Sequence, residues 1–385
     1  MIYLDNAATT FPKPKEVYDL LNDIQRSIAV NIGRGSYKAA REAQNIVDET
    51  RKILAEFVKA KDSSAVVFTP SATLAANEII WGLEWDQYKN VYVTPFEHNA
   101  IIRPLEMARK KYGFHIKIIP FNPETQELEF QEMGRLFSID HPDYVFINHV
   151  SNVTGTILPV DIISEAAKEF KAVTVVDGSQ SVGLINIDLK KSMFDYLIFA
   201  GHKNLYSSWG IGGFIDNSSE ILTPFLAGGT GSDSLNPNMQ TSTPDGFEFG
   251  SQNILAIASL NASLKWINKI GISGIAIYKE NLMQQLEEGL MRCHADMYLP
   301  KDMSRHTSVI SFNLSDYEPA EVGMILDQDY DIAVRTGYHC APYIHDLIGT
   351  KEKLGTIRVS IGYFNTEGEI KSFIRAIEDI IGGMA

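Results

Sequence analysis

A carboxylate and an amine, Asp177 in VDGSQ and Lys203 in AGHKN, stand 26 residues apart, each just after a short apolar run. The run before Asp177 is VTVV (173–176), and the one before Lys203 is YLIFA (196–200). Short apolar runs of this length read as buried strands. In an open α/β sheet, ligands lie just beyond the carboxyl ends of the strands, so both groups are delivered to the ligand-binding edge. Pyridoxal phosphate requires such a pair. The lysine forms a Schiff base with the aldehyde, and the carboxylate pairs with the protonated pyridine nitrogen, which makes the ring an electron sink.

The elements that position this pair follow from the rest of the pattern. Further apolar runs at 65–69, 91–94, 116–120 and 144–148 alternate with helix-like segments such as 100–112 and 161–170. Strand and helix in alternation predict a mostly parallel sheet covered on both faces. The longest loop-like stretch, 227–246, has the length of a functional loop. Beyond it, 256–267 and 278–293 read as helices, 309–314 and 356–361 as strands, and 367–381 as a closing helix. The reading is therefore a large α/β domain over 13–254 and a small α+β domain over 255–385. The segment 1–12 joins the small domain or packs between the two.

Composition narrows the function. The 385 residues carry 34 basic and 48 acidic side chains, a formal net charge of -14. This disfavours sequence-independent binding to nucleic acid or to anionic membranes. It also requires that anionic ligands be held by local groups. No apolar run approaches the roughly 18 residues of a spanning helix, and the N-terminus lacks the basic and apolar parts of a secretory signal. Two cysteines, Cys293 and Cys340, exclude a disulfide framework and a four-thiolate metal site, and point to a reducing cytoplasm.

Several motifs join the pair. In FTPSATLAANEI (68–79), a strand, a small-residue turn and a helix start would aim free N–H groups of Ala72 and Thr73 at a phosphate. Taken alone, the same residues are a plain helix cap. EHNA sets His98 past the 91–94 run, and SNVTG sets Asn152 past 144–148, where Asn before Val-Thr-Gly is otherwise a turn signal. VRTGYHCAP places Cys340 in a loop whose composition leaves a thiol accessible, with Arg335 and His339 near enough to favour the thiolate. Cysteine as a type is more often buried and inert, the reading given to Cys293. A metal at His339, Cys340 and His345 lacks a further ligand and fits no common spacing. TIRVS sets Arg358 in a strand, where a guanidinium can clamp a carboxylate with two parallel hydrogen bonds or form an ordinary ion pair.

From YLDNAATT (3–10) to TIRVSIGYFNT (356–366), these motifs in order resemble the class V aminotransferase-fold enzymes that use pyridoxal phosphate, and within them the group II cysteine desulfurases and selenocysteine lyases. The resemblance implies the fold type I architecture, with a seven-stranded, mostly parallel sheet and a smaller C-terminal domain. It implies Lys203 as the Schiff-base lysine, His98 stacked on the ring and moving protons, and Asn152 and Gln180 at the ring hydroxyl. His202 would contact the phosphate, with Ala72 and Thr73. Ser251, in FEFGSQN, would reach the partner subunit's phosphate in a homodimer. Arg358, with Arg335, Asn6 and Arg34, would hold the substrate, and Cys340 would take its sulfur. The implied reaction converts L-cysteine to L-alanine with a persulfide on Cys340, which passes to a thiol acceptor such as a scaffold protein. Departures stand at Ser71, Ala200, Gly33, Tyr37 and Tyr338. Those at Gly33, Tyr37, Ala200 and Tyr338 keep open another class V reaction on a small amino acid, and selenocysteine lyase activity, with the same fold and site, stays open beside it. A non-catalytic scaffold is the reading from a different class, but it needs none of Lys203, Asp177, His98 or Arg358.

Overall fold

The computed structural model describes residues 1–32, 35–218, 222–231 and 235–383. Its strands are β1 (Ile2–Tyr3), β2 (Val66–Thr69), β3 (Asn90–Val93), β4 (His115–Ile118), β5 (Tyr144–Asn148), β6 (Val173–Asp177), β7 (Tyr196–Ala200), β8 (Gly212–Asp216), β9 (Asp296–Met297), β10 (Val309–Asn313), β11 (Ile332–Ala333), β12 (Arg335–Gly337) and β13 (Thr356–Ser360). The helices are α1 (Lys15–Ser27), α2 (Lys38–Phe57), α3 (Ala72–Gly82), α4 (Asn99–Tyr112), α5 (Phe130–Ile139), α6 (Val160–Lys168), α7 (Ile254–Ile270), α8 (Ile272–Arg292), α9 (Pro319–Tyr330), α10 (Ile344–Leu347) and α11 (Glu367–Gly382).

Among the described residues, seven strands form one sheet in the order β2-β8-β7-β6-β5-β3-β4. The run from β7 to β4 is parallel, and β8 lies antiparallel between β2 and β7. All five residues of β5 and of β7 are buried, as expected of parallel strands covered on both faces, which explains why they read as unbroken apolar runs. β2 runs in the same direction as β7, since both oppose β8. The carboxyl ends of β2, β3, β5, β6 and β7 therefore share one edge. A second, antiparallel sheet has the order β12-β13-β10-β9 and packs with α8, α9 and α11 around Leu286, Phe312, Phe373 and Ile377.

The N-terminal segment serves both sheets. β1 pairs in parallel with β11 as a separate two-stranded sheet, and Asp5 bridges to Ser360 of β13 in the small sheet. A few residues on, the Thr9 hydroxyl and the Thr10 N–H donate to the carbonyl of His202, at 3.0 and 3.1 Å. Among the described residues no helix is long and apolar enough to cross a membrane.

One buried ion pair fixes β2. Arg51 on α2 donates to Glu248 through both terminal nitrogens, at 2.7 and 2.8 Å, and Glu248 also accepts the Phe68 N–H at 2.7 Å. An Arg51→Met variant leaves the Glu248 carboxylate buried without its cation. The expected loss of stability is about 3–5 kcal/mol, seen as a lower urea midpoint. An unchanged midpoint would show that water reaches Glu248 freely.

Candidate active site

Each functional side chain sits within a few residues of a strand's carboxyl end. Asp177 is the last residue of β6 and Lys203 lies three beyond β7; His98 lies five beyond β3, Asn152 four beyond β5, and Ala72 three beyond β2. The charges of Asp177, Arg358 and Arg335 all act on the Lys203 amine. Burial dominates and lowers its pKa to about 8, with Asp177 opposing. Asp177 is buried, and its Oδ1 accepts the Ser179 N–H at 2.9 Å.

His98 caps α4: its Nδ1 accepts the Ala100 N–H at 3.0 Å. Burial first, then Lys203, lowers its pKa to about 4, so the ring is neutral at pH 7. With Nδ1 occupied as an acceptor, the proton of the neutral ring resides on Nε2. His98 thus presents an N–H donor.

At the end of β2, Ser71 caps α3 by accepting the Leu74 N–H at 3.2 Å. The N–H groups of Ala72 and Thr73 have no acceptor inside the helix. β8 crosses close by: a Cβ on Gly212 would stand 2.6 Å from the Ala72 nitrogen. His202 stacks on Trp209 at 4.1 Å between ring centroids, and its Nδ1 has no partner. An anion-ready helix start, an acidic strand end, a buried amine and unpartnered atoms at His202 Nδ1, Asn152 Oδ1 and Arg358 Nε fit the phosphate, the ring nitrogen and the aldehyde of pyridoxal phosphate.

The small sheet brings Arg335 and Arg358 directly opposite each other on β12 and β13. Like charges in that position repel, and each guanidinium has its own electron-rich partner. Arg358, fully buried, donates to Asp5 at 2.5 Å and to the Asn152 carbonyl at 2.9 Å. Arg335 donates to Cys340 Sγ at 3.1 Å. Asp5 was not picked out from the sequence; it belongs to the YLDN motif, and the signal was an acidic residue beside a quoted asparagine.

Cys340 is half-buried and pinned through its backbone. The Asn99 N–H donates to its carbonyl at 2.7 Å, and Asn152 Nδ2 donates to the His339 carbonyl at 2.8 Å. His339 and Cys340 both have left-handed φ, 48° and 60°. The thiol is therefore held by neighbours on α4 and on the loop after β5, rather than freely exposed.

One expectation needs correction. His339 does not support a thiolate. Its ring is buried, its Nε2 lies 2.8 Å from the Thr356 hydroxyl, and burial with the nearby Arg358 holds its pKa well below the ordinary value, so it brings no positive charge. Asn6 donates to the Ser360 carbonyl and to Asn365 Oδ1 at 3.0 and 3.1 Å, and accepts the Phe11 N–H at 3.2 Å. The Gln180 amide donates to the Ala7 carbonyl at 2.7 Å. Ser251 is exposed and lines a separate cavity with Arg51 and Glu248. Gly33 and Arg34 lie outside the described residues.

Lys13 was also missed. Its amine donates to the His202 carbonyl at 2.7 Å and to the Thr10 hydroxyl at 2.8 Å, so a second lysine braces the backbone just before Lys203.

The chain is similar to known proteins over nearly its whole length. A "Probable cysteine desulfurase" of Pyrococcus abyssi (strain GE5 / Orsay) is 31% identical over 99% of this chain and 94% of its own length. The apo structure of a cysteine desulfurase from Thermococcus onnurineus NA1 superposes with a TM-score of 0.90 at 30% identity, covering 99% of this chain and 95% of that one. The cysteine desulfurase CsdA of Escherichia coli, at 23% identity, 99% and 94% coverage and a TM-score of 0.88, shares the fold. The family profile described as aminotransferase class-V matches residues 2–373, and the chain belongs to that family.

Proposed function

We propose that this protein is a pyridoxal phosphate-dependent cysteine desulfurase that releases L-alanine from L-cysteine and takes the sulfur on Cys340 as a persulfide. The observation that carries the reading is Cys340 itself. A thiol fixed by backbone hydrogen bonds from both sides, with a guanidinium 3.1 Å from its sulfur, shares the site of an amine and two arginines. Transamination gives such a thiol nothing to do.

Pyridoxal phosphate would be held covalently by Lys203, at its ring nitrogen by Asp177, and at its phosphate by Ala72, Thr73 and His202. Once bound, it supplies a sink for the electron pair left on the substrate's Cα. The chain's own residues do the rest. Arg358, with Arg335 beside it, receives the substrate carboxylate; its unpartnered Nε is a free donor for that purpose. Lys203, with its amine near neutrality, takes the Cα proton. His98 donates a hydrogen bond from Nε2 and is no base in this state, because its ring is neutral with Nδ1 committed to α4. The Cys340 sulfur, hydrogen-bonded by Arg335 at 3.1 Å, attacks the substrate sulfur as its thiolate. A sulfur–sulfur bond forms, the carbon–sulfur bond breaks, and its electron pair leaves with the carbon, which is then protonated.

A homodimer is part of this reading: Ser251, exposed on one chain, is the residue that would serve a partner's phosphate. Two free cysteines and a reactive thiol suit a reducing cytoplasm. The test is alanine released from L-cysteine by the purified protein with a thiol reductant as sulfur acceptor. Alanine and sulfide in equal amounts are expected. Turnover of selenocysteine alone would reassign the substrate, and a product retaining its sulfur would sink the reading.

A further inference from the structure

A cleft of about 540 Å³ opens between α8, the segment 303–308 and residues 157, 184 and 185 in the connections after β5 and β6. That volume lies within the range of small-molecule pockets, which favour such junctions. Its walls are mainly apolar, from Ile157, Leu184, Ile185 and Met283. Lys279 also lines it. On α8, Lys279 is almost completely buried while its neighbour Glu280 is exposed, so the amine belongs to the inner end and the acid to the rim.

Lys279 is poorly satisfied for a buried amine. Its hydrogen bond runs to Asn204 Oδ1 at 3.1 Å, and among the described residues no carboxylate is paired with it. An ammonium has three donors, and a buried charge without a counter-ion is costly. Burial alone accordingly lowers its pKa to about 7. The desulfurase chemistry makes no use of this group.

We propose that the cleft binds a small monocarboxylate with an apolar chain, its carboxylate paired with Lys279 and its chain between Ile157, Leu184, Ile185 and Met283. The carboxylate supplies the missing counter-ion, and the chain covers the apolar walls. Glu280 and Glu287, which also line the cleft, repel a second negative charge, so dicarboxylates are disfavoured. The site is wired to the cofactor lysine. Asn204 directly follows Lys203, and its Nδ2 donates to the Gln180 carbonyl at 2.7 Å, so an occupant that draws Lys279 from Asn204 loosens the loop holding Lys203.

The experiment is calorimetric titration of the full-length holoprotein with hexanoate, hexan-1-ol and adipate, for the wild type, Lys279→Met and Ile185→Trp. Hexanoate is expected to bind the wild type, with affinity falling about tenfold or more in Lys279→Met, the usual effect of losing a charged hydrogen bond. Ile185→Trp should abolish binding by filling the cleft. Hexan-1-ol and adipate should bind the wild type at least about tenfold more weakly, for want of one charge and excess of another. Hexanoate could also meet Arg335 and Arg358. The component that belongs to the cleft is the one lost in the two variants, which leave both arginines in place. No binding to the wild type, equal binding by both variants, or equal affinity for hexan-1-ol would overturn the proposal. Because binding is read directly, failure here says nothing against cysteine turnover.

Discussion

A Lys203→Ala variant is expected to lose alanine release by about 10⁴-fold or more, the scale seen when a covalent nucleophile is removed. It should also fail to keep the cofactor through borohydride reduction, and peptide mass mapping of the reduced wild type should place the cofactor on Lys203. The choice of lysine is a real one. Burial lowers the pKa of three amines here: Lys203 to about 8, and Lys13 and Lys279 to about 7. By acidity alone, Lys13 and Lys279 are the readier nucleophiles. Position decides otherwise. The Lys13 amine is spent on the His202 carbonyl and the Thr10 hydroxyl, and that of Lys279 sits in the separate cleft against Asn204. Lys203 alone of the three feels Asp177, the group suited to the ring nitrogen. Below pH 8 the Lys203 amine is mostly protonated and cannot attack an aldehyde; above it the neutral form predominates. Cofactor capture by the apoprotein should therefore accelerate as pH rises through about 8. Reduced cofactor on Lys13 or Lys279 in the wild type would refute the assignment.

What the sequence disclosed, and what it concealed, follow from different physics. β5, β6 and β7 were read to the residue, because strands buried on both faces are unbroken apolar runs and Asp177 and Lys203 mark where they stop. β8 was not read. It starts Gly-Gly, which has little strand propensity, and a Cβ on Gly212 would meet the start of α3. β4 lies at a sheet edge, with His115 and Ile118 exposed, and its reading drifted by one residue at the start and two at the end. The site shows the same division. Residues that follow strands could be placed because topology carries them to one edge. Contacts made across hundreds of residues, such as Asp5 on Arg358 or Asn99 on the Cys340 carbonyl, leave no local pattern. His339 shows the converse error: nearness in sequence to Cys340 suggested electrostatic help, but a left-handed backbone turns its ring to Thr356.

Cys340→Ala should lower alanine release from L-cysteine by about 10³-fold or more, since the group that accepts the sulfur is gone. Cofactor binding should be unchanged, because Lys203, Asp177 and the start of α3 do not depend on the thiol. Cys293→Ala should retain full activity: that thiol is buried among small-sheet residues, and burial pushes its pKa up, away from the reactive form. The wild type, given L-cysteine without reductant, should carry one added sulfur atom on Cys340 by mass spectrometry, and the Cys340→Ala chain none. The pinned backbone makes this expectation sharper than the motif does. A mobile loop could reach substrate and acceptor in turn, whereas Cys340, fixed by Asn99 and by the Asn152 bond to its neighbour, must receive sulfur where it sits. The acceptor thiol must then come to it. Small thiols should support multiple turnovers at rates that rise with their concentration, and activity that survives in Cys340→Ala would instead mean that the carbon–sulfur bond breaks without a protein nucleophile.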